Sequence, residues 1–218
     1  MLNKVAVERP KCPICHGTRT RKERTYRGQH EIFAHKSLFV CGDCQMVFAH
    51  PLPPADEWDV YNRAFFSESD SRLPEGHPAT AFFCEIAGIR LRYIQKYIHP
   101  ELLPDSVLEI GPGPGYFCLA YLAVQPGARY RTVETDPTCY ESLRECGAEV
   151  AGSLSELPEM ERYGLLVMSH VLEHSIAPRR ELAEAARFLE PGGRLFVEVP
   201  CRDFEYKPVF DAHVLFFD

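Results

Sequence analysis

Nine cysteines fall into two populations, and one population is spaced for metal chemistry. Cys12/Cys15 and Cys41/Cys44 form two Cys-x2-Cys pairs separated by twenty-five residues. A two-residue spacer lets a tight turn aim both sulfurs at one point, and two such turns close a tetrahedral zinc site with Zn–S distances of about 2.3 Å. Pro13, Gly17 and Gly42 suit those turns. With thiolates at all four positions no coordination site stays open, so the metal is expected to clamp a fold rather than to catalyse. His16 and His35 are further nitrogen donors nearby, although the spacing requires neither. Disulfide pairing is the competing reading; a reducing compartment weighs against it. The other five, Cys84, Cys118, Cys139, Cys146 and Cys201, sit singly in apolar or helical contexts and read as small buried hydrophobes.

A second set of residues suits a phosphate- or nucleoside-bearing ligand. Val107-Leu-Glu109-Ile-Gly111-Pro-Gly113-Pro-Gly115 places a strand, a glycine-rich turn and a helix start in order. Glycines at alternate positions permit positive φ and let a ligand approach the backbone. The run departs from the dinucleotide pattern Gly-x-Gly-x-x-Gly, and its second proline removes an N–H that pyrophosphate would need. Glu134, twenty-three residues after Gly111, ends the next strand, where an acid hydrogen-bonds a ribose in this class of fold. His170, His174 and His213 are candidate bases, because an unperturbed imidazole titrates near about pH 6.5. His170-x-x-Glu173-His174 also matches a zinc-protease motif, but that motif needs a long helix. Here it follows the strand-like Leu-Leu-Val-Met-Ser and is cut off by Pro178. Packing at a strand end is the other reading of these histidines.

The elements that must position these residues follow from the apolar pattern. From Ser106 onward, strands at Ser106–Ile110, Arg129–Glu134, Glu149–Ala151, Leu165–Ser169 and Arg194–Val199 alternate with helices near 115–124, 137–146 and 178–190. That alternation predicts an α/β fold, a parallel Rossmann-like doubly wound sheet with helices on both faces and ligands at the strand C-termini. Residues 80–98 carry Phe82, Ile86, Ile89, Tyr93, Ile94 and Tyr97 at helical spacing, a stripe expected to face the core. Three prolines within Pro51-Leu-Pro-Pro54 mark a boundary, and an irregular aromatic segment with Trp58, Tyr61, Phe65 and Phe66 follows. The expected division is a zinc ribbon over 1–50, a linker and cover segment over 51–79, and a ligand-binding domain over 80–218.

Charge divides unevenly. Residues 1–50 hold nine Lys and Arg against four Asp and Glu, whereas the whole chain has a net charge of −7. Five of those nine basic residues lie between Arg19 and Arg27, a stretch read as a solvated hairpin tip. The longest apolar run, Tyr116–Val124, is too short to span a bilayer, and no apolar leader opens the chain. A cytoplasmic location without membrane contact is expected.

The residues Glu109-x-Gly111-x-Gly113-x-Gly115, with Ser169-His170-Val-Leu-Glu173-His174 and Leu189-Glu-Pro-Gly192-Gly193, resemble the class I S-adenosylmethionine-dependent methyltransferases over about 105–200. The cysteine pairs, Val47-Phe48, the proline segment and the aromatic stretch look like the zinc-ribbon head of sugar C-methyltransferases and their relatives. The resemblance implies that Glu109 holds the methionine amino group and that Gly111, Gly113 and Gly115 pass beneath the methionine part of the cofactor. It further implies that Glu134 binds the ribose hydroxyls and that Ser153-Leu154 flanks the adenine. Relatives often carry Asp at the place of Ser153 and Phe-Asp at that of Tyr163-Gly164.

The expected activity is methyl transfer from S-adenosylmethionine to carbon or oxygen of a small polar metabolite, such as a nucleotide-linked sugar. Two other readings compete: an RNA methyltransferase gripping phosphates through the basic ribbon, and a non-catalytic cofactor-binding module. The acidic body, and a fourth strand ending in Met-Ser-His-Val rather than Asn/Asp-Pro-Pro-aromatic, argue against nucleic acid. The class normally adds two strands after the fifth, yet nineteen residues follow Val199. A truncated sheet with an incomplete acceptor site is therefore expected, with Val214–Asp218 resembling the opening of the next helix. The exposed edge of the fifth strand should promote self-association.

Overall fold

The computed structural model describes residues 9–28, 30–64, 78–99, 102–201 and 213–217. Phe65, Phe66, Tyr206, Lys207, Pro208 and Asp218 lie outside the described residues. Compactness divides the chain into a unit of residues 1–58, 172–181 and 199–218, and a unit of residues 59–171 and 182–198. A sequential division at 50 and 80 thus gives way to a head assembled from three stretches of chain.

In the head, β1 (Thr20–Thr25), β2 (Ser37–Cys41) and β3 (Val47–His50) form an antiparallel meander. A fourth strand, β9 (Leu215–Phe216), pairs with β3 through Val47↔Phe216 and Phe48↔Leu215. The apolar end of the chain is therefore a strand of the ribbon and not the start of a helix; with Val214, it buries its apolar side chains there. The basic stretch is likewise an edge strand rather than a hairpin tip. Arg19 pairs with Asp43, and Arg21 lies 3.0 Å from Glu23; charged side chains on such an edge discourage unwanted pairing. Tyr26 stacks on Phe33 with ring centroids 4.9 Å apart, and Phe33 meets Trp58 edge-on at 6.1 Å. Trp58 belongs to a helix, α1 (Ala55–Arg63), in a region expected to be irregular. The helix starts directly after the prolines, with Asp56 and Glu57 in its first turn, where acids favour the positive end of the helix dipole.

The second unit contains a five-stranded parallel sheet in the order β6-β5-β4-β7-β8. Its strands are β4 (Ser106–Ile110), β5 (Arg129–Val133), β6 (Glu149–Ala151), β7 (Tyr163–Ser169) and β8 (Leu189–Glu198). The strand order reverses beside β4, so the loop leaving its C-terminal end sits at the switch point where Rossmann-like sheets bind ligands. β8 begins earlier than expected because Leu189 already pairs with Tyr163, before a register shift leads to Leu165↔Arg194. The intervening helices are α2 (Pro78–Tyr97), α3 (Tyr116–Val124), α4 (Tyr140–Glu145) and α5 (Pro178–Ala186).

One face of the sheet buries Val107, Tyr130, Leu165 and Val167 under α2 and α3. The helix α2 presents Ala87, Leu91, Ile94 and Ile98 to that core. Of the expected stripe only Ile94 is buried, whereas Phe82 (59% exposed), Ile89, Tyr93 and Tyr97 (64%) lie on the outside. Among the described residues no strand pairs with the outer edge of β8, where Leu195 is 42% exposed. No helix of the described residues is long and apolar enough to cross a membrane.

Candidate functional site

The loop after β4 takes its shape from its glycines. Gly111, Gly113 and Gly115 have φ of 65°, 56° and 92°, all in the left-handed region. At Gly111 an added Cβ would stand 2.7 Å from Val171 Cγ2, and at Gly115 2.9 Å from Leu143 Cδ2. The Gly111 N–H donates to the Val133 carbonyl at 2.9 Å, which ties the loop to the end of β5. Gly115 then opens α3 without a side-chain cap, leaving the helix entrance as bare backbone.

Glu134, the residue after β5, is buried at the centre of this arrangement. Its Oε2 accepts from the Gly113 N–H and its Oε1 from the Asp136 N–H, both at 2.9 Å. The Tyr140 hydroxyl donates to its carbonyl at 3.0 Å. Burial raises the Glu134 pKa, while the backbone donors of Asp136, Gly113 and Thr135 oppose the rise. A carboxylate oxygen has two lone pairs, so with three backbone donors the carboxylate keeps capacity for a further one such as a ribose hydroxyl. Asp136 was not singled out in the sequence. It is fully buried and caps the next turn by accepting from the Thr138 N–H at 2.9 Å. Asp followed by Pro137 is a turn-start signal that could have found it.

Glu109 lies inside β4 and is also buried; its Oε2 accepts from the Tyr130 hydroxyl at 2.7 Å. Burial pushes its carboxyl up to about 7, against the opposing hydrogen bond of Tyr130 and the charge of Arg90. Arg90 itself engages Glu198, with Nη2 donating to Oε1 at 3.2 Å. Glu198 also faces His170 Nε2 at 3.3 Å. Burial alone would raise the Glu198 pKa, but His170 and Arg90 hold it at about 2. Tyr130 and the Arg90–Glu198 pair were invisible to pattern reasoning, because each joins strands or helices distant in sequence. Ser153 and Leu154 begin a short 3-10 turn after β6, and Ser153 Oγ is 2.8 Å from Ser155 Oγ. The Gly152 N–H donates to Glu156 Oε2 at 2.8 Å, so Glu156 supplies an acid beside Ser153.

In the head, the four paired cysteines meet, and their sulfurs all lie within 4.8 Å of one another. Cys12 and Cys44 sulfurs are 3.6 Å apart, and those of Cys15 and Cys41 are 3.5 Å apart. A disulfide needs about 2.05 Å, whereas four sulfurs at about 2.3 Å from one metal stand roughly 3.8 Å apart. The set therefore fits zinc. The two turns repeat one hydrogen-bond scheme: Cys12 N–H to Gly17 carbonyl and His16 N–H to Cys12 carbonyl, then Cys41 N–H to Met46 carbonyl and Gln45 N–H to Cys41 carbonyl. His16 and Gln45 occupy the same place in each turn with φ of 60° and 64°. Neither His16 nor His35 joins the thiolate group among the described residues.

The three candidate histidines separate into two environments. His170, with φ of 57°, is held against Glu198. His174 and His213 come together with ring centroids 4.9 Å apart at 81°, beside the fully buried Glu173. The backbone on both sides is held: Trp58 Nε1–H donates to the His174 carbonyl at 2.7 Å, and the Tyr26 hydroxyl to the His213 carbonyl at 2.8 Å. The Val214 N–H donates to the Glu173 carbonyl at 3.0 Å.

Comparison with known proteins gives one family: the model of the Methyltransferase domain matches residues 82–215. A demethylmenaquinone methyltransferase of Chlamydia muridarum is 26% identical over 135 residues, covering 59% of this chain and 59% of that relative. The mitochondrial ubiquinone biosynthesis O-methyltransferase of Candida albicans is 28% identical over 123 residues, covering 50% of this chain and 38% of the relative. The chain thus matches about half the length of these relatives. Among solved structures, the plantazolicin methyltransferase BpumL with SAH is 16% identical with a TM-score of 0.47, covering 65% of this chain and 59% of that one. The N-methyltransferase NodS of Bradyrhizobium japonicum with S-adenosyl-l-homocysteine is 20% identical with a TM-score of 0.43, covering 52% and 59%.

Proposed function

From a chain that belongs to the Methyltransferase domain family, we infer an enzyme that moves a methyl group from S-adenosylmethionine to a small polar acceptor. The observation that carries this reading is the loop Gly111–Gly115, left-handed at three glycines and closed on Glu134 by the Gly113 N–H. When bound, the cofactor supplies an electrophilic methyl group on a sulfonium. The residues of the chain then have to bind, orient and exclude water. Glu134 accepts the ribose hydroxyls, Glu109 faces the methionine amino group, the three glycines leave room for the methionine part, and Ser153-Leu154 flanks the adenine. The fit rests on two buried acids at adjacent strand ends and on a loop in which a side chain at Gly111 would collide.

Among the candidate bases, His170 belongs to the same unit as the glycine loop, and His174 and His213 stand together beside Glu173 in the head. The imidazole of His170 is already engaged by Glu198. Transfer to carbon or hydroxyl oxygen of a nucleotide-linked sugar is the finer reading, and the ribbon head with its four thiolates supports it. Zinc in that head would act as a folding clamp. RNA as acceptor is the weaker alternative, because part of the basic edge is neutralised by Asp43 and Glu23.

Calorimetric titration with S-adenosylmethionine tests the cofactor assignment. Hydrogen bonds to a charged group are worth about 1.5–3 kcal/mol, so Glu134→Ala should weaken binding roughly 10- to 100-fold. Unchanged affinity would place the pocket elsewhere. Labelled cofactor offered with cell metabolite extracts then identifies the acceptor class.

A further inference from the structure

We propose that Glu173, His174 and His213 form a second metal site, a two-histidine, one-carboxylate set for a divalent transition cation such as zinc, iron(II) or cobalt(II). One donor atom from each residue lies within 4.8 Å of the other two. Three donors at about 2.0–2.2 Å from a common ion stand roughly 3–3.5 Å apart, so small side-chain rotations close the set. Two imidazoles and one carboxylate leave open coordination positions, the donor chemistry of catalytic zinc and of non-haem iron sites. Calcium and magnesium prefer all-oxygen shells, which this set does not offer.

Three features argue for a built site. Glu173 is fully buried, so its carboxyl meets the two imidazoles out of water, where donor–cation attraction is strong. The main chain of all three ligands is pinned by hydrogen bonds from Trp58, Tyr26 and Val214, which fixes where the side chains begin. The third ligand also comes from far along the chain rather than from the local motif. In His170-x-x-Glu173-His174 the first histidine of the motif turns to Glu198, and His213 takes that place from beside β9. This site is chemically distinct from the four thiolates, and the two should be told apart by sulfur content alone.

A cation with open positions binds an oxygen donor and lowers its pKa, and the two imidazoles then serve as ligands and not as bases. Occupancy itself is measurable without any turnover.

The test uses the full chain with its thiolate site filled by one equivalent of zinc, titrated with cobalt(II). A second equivalent should bind and give d–d absorption without sulfur-to-cobalt charge transfer. Proton NMR of that species should show two hyperfine-shifted imidazole N–H signals. Glu173→Gln, His174→Gln and His213→Gln should each weaken the second equivalent by more than the roughly 10- to 100-fold that losing an outer partner costs, while zinc at the cysteines stays at one per chain. No second equivalent in the parent protein, thiolate charge transfer in its spectrum, or undiminished binding in the three variants would overturn the site. The parent spectrum and NMR decide even where a variant fails to fold. Cobalt binding in a protein without S-adenosylmethionine affinity would leave the metal site standing and remove the methyl-transfer reading.

Discussion

Glu109→Gln should make the protein more stable in mild alkali and less dependent on pH. The Glu109 carboxyl is buried in β4 and its pKa is raised to about 7 from the ordinary 4.5. A raised pKa in the folded state means that the folded protein holds this proton more tightly than the unfolded chain. The resulting stabilisation is complete below about pH 4.5 and is lost as pH rises through about 7. At 1.36 kcal/mol per pKa unit, the full swing is at most about 3 kcal/mol. Gln is nearly isosteric, stays neutral and still accepts from the Tyr130 hydroxyl through its carbonyl oxygen. Urea unfolding followed by circular dichroism at pH 5, 6, 7 and 8 gives the difference between parent and variant, in which every other titrating group cancels. That difference should move by about 1–3 kcal/mol in favour of the variant between pH 5 and 8. A second readout concerns the cofactor. Near pH 7 about half of the Glu109 carboxyls carry a proton, and an ammonium group brought beside them favours the ionised form. Binding of S-adenosylmethionine should therefore release up to about half a proton. Calorimetry in buffers of different ionisation enthalpy detects it, and the release should vanish in Glu109→Gln. Parallel stability curves for parent and variant, or equal proton release in both, would refute the assignment of a proton to Glu109.

Gly111→Ala forces a side chain into φ of 65° with its Cβ 2.7 Å from Val171 Cγ2. It should cost at least about 1–2 kcal/mol and show as a lowered Tm together with weaker cofactor binding. Chelation of zinc, or Cys41→Ser with Cys44→Ser, should loosen the head first. Trp58, the single tryptophan, is buried there, so its emission should shift to the red before the sheet of the other unit unfolds. Metal analysis should find about one zinc per chain at the thiolates of the parent and none there in the double variant. The edge of β8 that no strand pairs with among the described residues, with exposed Leu195 and Val197, should drive concentration-dependent association in light scattering. A monomer at every concentration would count against that edge as a contact.

What could be read from sequence was what is local. The cysteine turns depend on residues a few positions apart, and so does the glycine loop with its preceding strand. The parallel order followed from alternation, and Ser106–Ile110 and Glu149–Ala151 fall where the pattern put them. The buried face of α2 differs from the expected one because its apolar residues form two stripes. The bulkier stripe, Phe82, Ile89, Tyr93 and Tyr97, won by hydrophobicity, yet the packed face uses Ala87, whose small side chain permits close approach to α3 and the sheet. The pairing of Leu215–Phe216 with β3 joins residues far apart in sequence, so periodicity carries no trace of it. The same holds for His213, which appeared as an isolated histidine until the fold set it beside His174. His170 is close to His174 along the chain, yet a partner on β8, Glu198, holds it elsewhere.

The head's fourth strand has a consequence for how the molecule is made. A ribosome delivers the four thiolates within the first forty-four residues, but Leu215–Phe216 emerges only after the entire parallel sheet. The β3 edge of the three-strand meander therefore lies open for as long as the chain between His50 and Leu215 takes to be synthesised. Exchange of heads between relatives has to respect the same order. A graft of residues 1–58 alone carries the cysteines and leaves behind the stretches 172–181 and 199–218 that complete the unit.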